Sequence, residues 1–177
     1  MWLNDVKFGH NVQAMKSIPS LVINKRAGRV HLGNNVTFNS YGDQSWYCKC
    51  KVWVLDGADL IIGDNVGMNG VLLFASNKIV IGNYVKIGGG TRISDSNHHS
   101  LDFMSRRDAS TDRICKSAPI VIEDDAFIGA NCYIGKGVTI GARSIIAAGS
   151  VVVKDVPADC VVGGNPCRVI RLLPKSE

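Results

Sequence analysis

Two adjacent histidines, His98 and His99, are the side chains of this 177-residue sequence best placed for acid–base chemistry. They lie in a polar stretch, residues 94–118, that reads SDSNHHSLDFMSRRDASTDRICKSA. Imidazole titrates near neutral pH, so a positioned histidine can remove a proton from a poor nucleophile such as a hydroxyl group. His10 and His31 stand outside this stretch. Because His31 falls between two aliphatic residues, we expect it to face away from a core.

The polar stretch interrupts a six-residue repeat, which predicts the scaffold. An α-helix would need apolar residues every three or four positions and a hairpin strand every two, whereas a period of six fits a short strand plus a turn. Glycine or asparagine would supply the positive φ that such turns need. The recurring aliphatic residues are Ile122, Ile128, Ile134, Ile140, Ile146 and Val152. The small or β-branched residues four positions after them are Ala126, Cys132, Val138, Ser144 and Ser150. Similar phrases begin at Leu32, Ile62 and Ile81.

Stacked units of this kind share one core and pair their backbones with the coils above and below. The repeat therefore predicts an all-β fold, a parallel β-helix that occupies residues 1–177 as one domain. Within it, we expect an N-terminal part and first coil at 1–31, a projecting loop at about 94–118 and a short C-terminal extension at 153–177. A shorter break in the repeat falls at 39–51. A β-sandwich with chance spacing is the alternative fold.

The composition argues against several other classes. The 19 glycines, the 46% apolar residues and the 7% aromatic residues suit many short strands joined by tight turns. The net charge of +5 forms no long basic run, so no nucleic-acid partner is expected. No segment resembles a signal peptide or a membrane span, which favours a cytoplasmic protein without membrane insertion. The six cysteines fit neither a disulfide framework nor a zinc site, although Cys48 and Cys50 would share a face if they lay on a strand.

The phrase APIVIEDDAFIGANCYIGKGVTIGARSIIAAGSVVVKDVPADCVVGGNPCRVIRL, which begins at Ala118, resembles the C-terminal half of the hexapeptide-repeat acetyltransferases. Within these it is similar to the maltose, galactoside and capsular-polysaccharide O-acetyltransferases, and VVKDVP followed by GNPCRVIR is the most specific part. The resemblance implies a left-handed β-helix and a homotrimer that binds acetyl-CoA in the cleft between neighbouring subunits. It also implies transfer of the acetyl group to a hydroxyl of a small sugar or glycan acceptor, without a metal.

The same resemblance points to one of the two histidines as the general base. The family histidine commonly opens a phrase such as His-Ser-Leu-Asp, which residues 99–102 match. Counting from Ile81 against the maltose and galactoside enzymes selects His98 instead. The capsular-type relatives carry one extra residue before the histidine, and Asp95-Ser96-Asn97-His98-His99 follows that form. His99 is therefore the first choice and His98 the second.

Further site residues are implied by their positions in the family motifs. The backbone N–H of Ala130 falls where the family places its oxyanion donor. The residues expected to bind acetyl-CoA are Ala130 and Ala148 along the pantetheine arm, with Lys154, Arg168 and Arg171 toward the phosphates. The residues expected near the acceptor are Asn69, Phe127, Asp95 and Asn97, the last two either orienting the base or touching the acceptor. Phe127 stands where relatives carry a tryptophan.

Three other functions fit parts of the sequence. The same half-site could acetylate the nitrogen of an amino sugar. A γ-class carbonic anhydrase shares the β-helix but needs three zinc-binding histidines on adjacent coils, whereas this chain has one adjacent pair in a loop and no histidine in the regular coils after it. A non-catalytic scaffold would need neither the histidine loop nor the C-terminal motif. These features favour the acetyltransferase.

Overall fold

The computed structural model describes residues 6–40, 48–112 and 115–174. Its strands pass in turn through three sheets, here called sheets A, B and C, so that every third strand joins the same sheet. All pairings are parallel until a final antiparallel hairpin. The protein is therefore an all-β, left-handed parallel β-helix, which confirms the predicted fold class.

Six coils of three strands each are stacked along the axis. Coils one to three are β1 (Val6–Phe8), β2 (Gln13–Lys16), β3 (Ser20–Ile23), β4 (Val30–Leu32), β5 (Thr37–Ser40), β6 (Lys51–Val54), β7 (Asp59–Ile62), β8 (Gly67–Asn69) and β9 (Leu72–Ala75). Coil four is β10 (Lys78–Ile81), β11 (Lys86–Ile87) and β12 (Arg92–Ser94), and the helix α1 (Phe103–Arg106) follows it. Coils five and six are β13 (Ile120–Ile122), β14 (Phe127–Ile128), β15 (Tyr133–Ile134), β16 (Thr139–Ile140), β17 (Ile145–Ile146) and β18 (Val151–Val152). The closing hairpin is β19 (Cys160–Gly163) and β20 (Arg168–Leu172).

The core follows the six-residue repeat. In sheet A Ile122 pairs with Ile140, and the equivalent aliphatic residues pair in sheets B and C, so one coil takes three repeats. All six predicted aliphatic positions are buried, and so are the five small or β-branched residues that follow them. Burying one such aliphatic side chain contributes about 1.5–3 kcal/mol. The predicted register is therefore confirmed residue by residue.

The glycines that follow the core aliphatic residues serve a different need from the one we expected. At Gly129 a Cβ atom would lie 2.6 Å from the backbone nitrogen of Ala148 in the next coil, so glycine permits close stacking there. The positive φ occurs two residues later, at Asn131, where φ is 57°. At the corner between sheets A and B, residues with positive φ form a column that includes Asn35, Asn65, Tyr84, Asp125 and Arg143.

Side chains at that corner also link successive coils. The side-chain oxygens of Asp64, Asn83 and Asp124 accept hydrogen bonds from the backbone nitrogens of Asn34, Asp64 and Asn83, at 2.6, 2.9 and 2.7 Å. Each bond satisfies a corner N–H that no strand can pair. The hydrogen bonds from Asn34 hold the pKa of Asp64 below its usual range. The corner is thus stabilised by a ladder of side chains that runs along the axis.

Several expectations can be compared with the described residues. His31 is half-buried between the buried residues Val30 and Leu32, so it faces away from the core as expected. Cys48 is exposed whereas Cys50 is buried, and both precede β6, so their thiols do not share a face. The break expected at 39–51 includes residues 41–47, which lie outside the described ranges. All six cysteines are free thiols.

The two ends of the chain extend the stack beyond the clear repeat. Residues 6–23 form a complete first coil, although no six-residue phrase marks it. In the expected C-terminal extension, β19 continues sheet B by pairing in parallel with β17, and β20 folds back on it. Within the described ranges, no helix has the length and apolar character needed to cross a membrane.

Candidate active site

The projecting loop leaves sheet C after β12 and returns to sheet A at β13, as expected for residues 94–118. An isolated antiparallel bridge between Ser96 and Ser117 closes its stem. The backbone nitrogen of Asn97 donates to the carbonyl oxygen of Lys116 at 3.2 Å, beside this bridge. The loop is therefore held at both ends by the scaffold, the arrangement that positions functional residues most reliably.

Asp95 anchors this stem. Its side chain is buried, and its Oδ1 accepts hydrogen bonds from the backbone nitrogen and the hydroxyl of Ser76, at 2.8 and 2.9 Å. Its Oδ2 accepts from the backbone nitrogens of Asn77 and Lys78, both at 2.7 Å. Because each oxygen already accepts two bonds, the carboxylate caps the turn before β10. This position does not suit the acceptor contact that the sequence suggested for Asp95.

Beyond the stem, the loop is folded by its own side chains. Asp102 caps α1, accepting a hydrogen bond from the backbone nitrogen of Ser105 at 2.7 Å. The guanidinium of Arg106 donates to the carbonyl oxygens of Ser100 and Leu101, both at 2.8 Å. No residue of α1 is buried, so these polar contacts and not a core give this part of the loop its shape.

His99 is paired with a carboxylate inside the loop. Its Nδ1 lies 2.6 Å from Oδ2 of Asp112, whose Oδ1 accepts from the backbone nitrogen of Ser100 at 2.9 Å. The hydrogen bond from His99 holds the pKa of Asp112 below its usual range, so this carboxylate is ionised at neutral pH. An ionised carboxylate can only accept, so Nδ1 carries a proton, and in the neutral imidazole Nε2 then presents the lone pair.

The two side chains of the pair differ in exposure, which suits a base that must reach a substrate. The His99 side chain is 70% exposed and the Asp112 side chain only 18%. Among the described residues, none forms a hydrogen bond with Nε2 of His99. The imidazole is thus held on one side and open on the other.

His98 is engaged by the scaffold instead. Its Nε2 lies 2.9 Å from the hydroxyl of Ser94, and its backbone nitrogen donates to the hydroxyl of Ser96 at 3.0 Å. Its ring packs on Phe74, with centroids 4.4 Å apart. Its φ of 64° turns the chain so that the adjacent histidines serve different surroundings. The contacts therefore favour His99 as the base and His98 as a residue that fixes the loop to sheet C.

Two of the expected acceptor residues share a groove on the outer face of sheet B. Asn69 and Phe127 line this groove of about 330 Å³, together with Asn39 and Lys86. The side-chain oxygen of Asn69 accepts a hydrogen bond from the amide of Asn39 at 2.5 Å, which orients it. Asn97, in contrast, lies in the stem of the loop and is half-buried there.

Within one chain, the groove and the loop lie on opposite sides of sheet C. Asn69 ends β8, just before the chain enters β9, whereas the loop leaves beyond Ser94, which pairs with Phe74 near the far end of β9. A strand rises about 3.3 Å per residue, so β9 separates Asn69 from the base of the loop by roughly 10 Å. Asn69 and the stem of the loop thus lie at opposite edges of sheet C.

The residues expected to bind the cofactor lie on the last coils and the hairpin. Lys154 and Arg168 line one cavity of about 260 Å³ together with Asp155, so two cations and one carboxylate border it and its net charge is positive. Ala130 and Ala148 are stacked at the corner between sheets B and C, where Gly149 donates to the carbonyl oxygen of Ala130 at 2.8 Å. Arg171 is exposed on β20, opposite Val161. The described residues hold no group of three or more acidic, histidine or cysteine side chains that could bind a metal.

Asp112 was not identified from the sequence. It follows His99 by 13 residues, across a helix and two turns, and no periodic pattern relates positions in such a loop. The one available signal was the recurrence of aspartate in the loop, at 102, 108 and 112. Those residues do cap turns, and only the structure shows which of them faces a histidine.

A three-sheet parallel β-helix with a histidine loop and a C-terminal cationic cavity defines the class of hexapeptide-repeat proteins. A family profile described as "Hexapeptide repeat of succinyl-transferase" matches residues 119–154. Galactoside O-acetyltransferase of Escherichia coli K12 is 35% identical over 138 residues, which are 76% of this chain and 64% of that protein. The chain spans less than two thirds of the length of the curated relatives that it matches.

Solved structures extend the likeness. The hexapeptide-repeat acetyltransferase VCA0836 of Vibrio cholerae is 39% identical, with a TM-score of 0.68 over 82% of this chain and 74% of that one. A second structure of VCA0836 contains acetyl-CoA. The N-acyltransferase AntD of Bacillus cereus has a TM-score of 0.74 over 97% of this chain and 86% of that one, but at 17% identity it supports the fold alone. The chain belongs to the hexapeptide-repeat acetyltransferase family.

Proposed function

We propose that this protein transfers an acetyl group from acetyl-CoA to a hydroxyl group of a sugar or glycan, with His99 as the general base. The observation that carries the proposal is the pair formed by His99 and Asp112 on a loop held by an acetyltransferase scaffold. Acetyl-CoA is bound by the related VCA0836, and a galactoside is the acceptor named for the relative from E. coli.

The chemistry follows from the open side of the imidazole. Nε2 of His99 takes the proton of the acceptor hydroxyl while its oxygen attacks the thioester carbonyl carbon of acetyl-CoA. The tetrahedral intermediate collapses with cleavage of the C–S bond, and the departing CoA sulfur takes the proton back from the imidazolium. Asp112 holds the ring and stabilises its positive charge between these steps. The products are an acetyl ester and CoA thiol.

The backbone N–H of Ala130 is our candidate oxyanion donor. A donor already aimed at the developing negative charge stabilises the transition state without reorganising. Among the described residues, this N–H makes no backbone hydrogen bond, so a donor remains for the oxyanion. Its position at the corner between sheets B and C also lies along the column of Ala130 and Ala148 proposed for the pantetheine arm.

The cationic cavity at the C-terminal end suits the phosphates of acetyl-CoA. Lys154 and Arg168 border this cavity together, and Arg171 lies on the same hairpin strand as Arg168. Charge-assisted hydrogen bonds from lysine and arginine are the strongest contacts that side chains offer to phosphate. We assign Lys154 and Arg168 to the phosphates first, with Arg171 beside them.

We propose that the active site is shared between subunits of a homotrimer. Asn69 and Phe127 lie on sheet B, across sheet C from the stem of the loop, and a neighbouring copy can present them to His99. The loop also carries the exposed apolar side chains Leu101, Phe103 and Met104, which the described part of the chain leaves uncovered. Exposed apolar groups clustered on one loop are typical of a surface that packs against a partner.

Mixing inactive variants tests the shared site. We expect His99→Ala and Asn69→Ala to be strongly impaired as pure proteins. Denaturing them together and refolding them should restore part of the activity, because some interfaces then combine an intact His99 with an intact Asn69. If the mixture stays as inactive as its components while light scattering shows trimers, each chain carries its own complete site. A monomer at working concentration would contradict the assembly.

Thiol release from acetyl-CoA across a panel of acceptors tests the reaction itself. The panel contains methyl galactoside, maltose, glucosamine and longer oligosaccharides, and a reaction without acceptor measures simple hydrolysis. An acetylated sugar that loses its acetyl group in mild alkali is an ester and supports the proposal. An alkali-stable amide on glucosamine would show N-acetylation instead. If every acceptor gives only the rate of hydrolysis, the proposed class of acceptor is wrong.

We also propose a cytoplasmic location. The free cysteines of the protein support it, because cysteines stay reduced in the cytoplasm.

A further inference from the structure

An aromatic row lies on the outer face of sheet C and leads to the histidine loop. It consists of Trp53 on β6, Phe74 on β9 and His98, which follows β12. Trp53 and Phe74 are direct neighbours in the parallel register, and their rings meet edge to face with centroids 5.7 Å apart. The ring of His98 covers the next position at 4.4 Å from Phe74. The row is therefore continuous across three coils.

The packing of the scaffold does not account for this row. Trp53 alternates with the buried residues Val52 and Val54, so its ring points away from the core and is 45% exposed. Cross-strand aromatic pairs do stabilise a sheet, by about 0.2–1 kcal/mol each. A continuous row of partly exposed rings, unlike a ring exposed singly, is nevertheless typical of a binding surface.

The row is also rigid and correctly placed. His98 is fixed through Ser94 and Ser96, and the strands below fix the other two rings. The proposed base is the next residue in the chain, so its Cα lies about 3.8 Å from that of His98. A ligand stacked on the row therefore ends at the loop that carries the base.

Polar side chains accompany the row along the same face. Lys51 is two residues before Trp53 on β6, and Arg92 lies in the same register position two coils further on. Both are exposed. An apolar ring surface bordered by hydrogen-bond donors matches a sugar ring, which has a face of C–H groups and a rim of hydroxyl groups.

We propose that Trp53, Phe74 and His98 form a stacking subsite that holds a ring of the acceptor glycan next to His99. The inference rests on the proposed function and deepens it, because a row of three rings suits an acceptor longer than one sugar. Trp53, the ring farthest from the loop, would contact a sugar unit that is not itself acetylated. Its loss should therefore affect acceptor binding and leave the chemical step intact.

Substitutions at Trp53 test the subsite with a matched control. Trp53→Leu keeps an apolar side chain but removes the aromatic face, and Trp53→Phe retains a face. Tyr84→Asn removes an exposed ring at the distant corner between sheets A and B, where its positive φ suits asparagine. With maltotetraose as acceptor, we expect Trp53→Leu to raise its KM about 3- to 10-fold with kcat and the KM for acetyl-CoA unchanged. Trp53→Phe and Tyr84→Asn should stay near wild type.

Direct binding separates this inference from the proposed reaction. Saturation-transfer NMR with maltose and maltotetraose, irradiating the aromatic protons, should label sugar C–H groups on the wild type and lose that signal in Trp53→Leu. If the wild type acetylates a sugar but Trp53→Leu changes neither KM nor the signal, the subsite is wrong and the function stands. If no sugar is acetylated while the signal depends on Trp53, the subsite stands and the reaction is wrong. A change of oligomeric state in Trp53→Leu would make the row a contact between copies and overturn the proposal.

Discussion

Two connections join sheet C to sheet A one coil apart, and they are built in opposite ways. After β15 the chain crosses in residues 135–138, whereas after β12 it makes the loop that carries His99. The shorter turn rests on the end of the longer one, since Gly137 donates to the carbonyl oxygen of Ala118 at 3.1 Å. The same corner of the same solenoid thus holds a plain turn and a candidate active site.

The difference lies in where each connection finds its hydrogen bonds. The short turn uses neighbouring coils, as when Gly135 donates to the carbonyl oxygen of Val152 at 2.9 Å. The loop uses aspartates of its own: Asp102, Asp108 and Asp112 each accept a backbone N–H within the loop. A connection that satisfies itself can vary in sequence without disturbing the stack. The scaffold and the site should therefore respond separately to substitution.

The largest difference between the effect on activity and the effect on stability is expected at His99. His99→Ala should lower kcat about 10²- to 10⁴-fold, because a positioned proton acceptor contributes on that scale. Acetyl-CoA affinity, measured by calorimetry, and the melting temperature should change little. His98→Ala is the matched control, and it should act mainly on loop order or on the KM of the acceptor. A dead His98→Ala beside an active His99→Ala would exchange their roles, and full activity in both would refute the mechanism.

The opposite response is expected in the coils. Ile128→Ala removes buried side-chain volume beside Ile146 and should cost about 2–5 kcal/mol of unfolding free energy. Activity per folded molecule should stay close to wild type under conditions where the protein is fully folded. Chemical denaturation followed by circular dichroism measures the loss, with the exposed Val153→Ala as control. Equal stability of the two variants would contradict the central place of Ile128 in the core.

The cofactor end should respond in a third way, through binding alone. Lys154→Ala or Arg168→Ala should each weaken the binding free energy of acetyl-CoA by about 1–3 kcal/mol, if each side chain makes a charge-assisted hydrogen bond to phosphate. Isothermal calorimetry measures this directly, and raising the salt concentration should reduce the difference between variant and wild type. Unchanged affinity in both variants would leave these cations as ordinary surface charge.

The smallest effect concerns how the loop orients its base. Asp112→Asn should lower kcat about tenfold, which corresponds to about 1.4 kcal/mol of activation free energy. The KM for acetyl-CoA and the melting temperature should stay unchanged. Asp108→Asn is the control, because Asp108 also caps a loop turn, at Ser110, but has no contact with a histidine. Equal losses in the two variants would mean that Asp112 only supports the fold of the loop.

The coils could be predicted from the sequence because their geometry is periodic. Each six-residue phrase places one aliphatic residue inward, so Ile122 to Val152 reveal the register without any knowledge of distant contacts. The pairing of His99 with Asp112 and the burial of Asp95 could not be predicted in that way. Both depend on how a non-repeating segment folds back on itself, which no spacing encodes. A first coil was expected within residues 1–31, but its strands could not be located from the sequence, since they leave Phe8 and Met15 exposed and show no aliphatic period.

Because every coil rises by the same amount, distances along the axis of the solenoid are set by the number of coils. Two coils, β13–β15 and β16–β18, stand between the coil that starts the loop and the hairpin that carries Arg168. That hairpin is therefore three steps from coil four, and at about 4.8 Å per step the proposed donor site would extend roughly 14 Å along the axis. Duplicating residues 122–139 would insert one more coil between the loop and the hairpin without altering any residue of either. In the proposed site, the distance between the loop and the hairpin can therefore change only by whole coils.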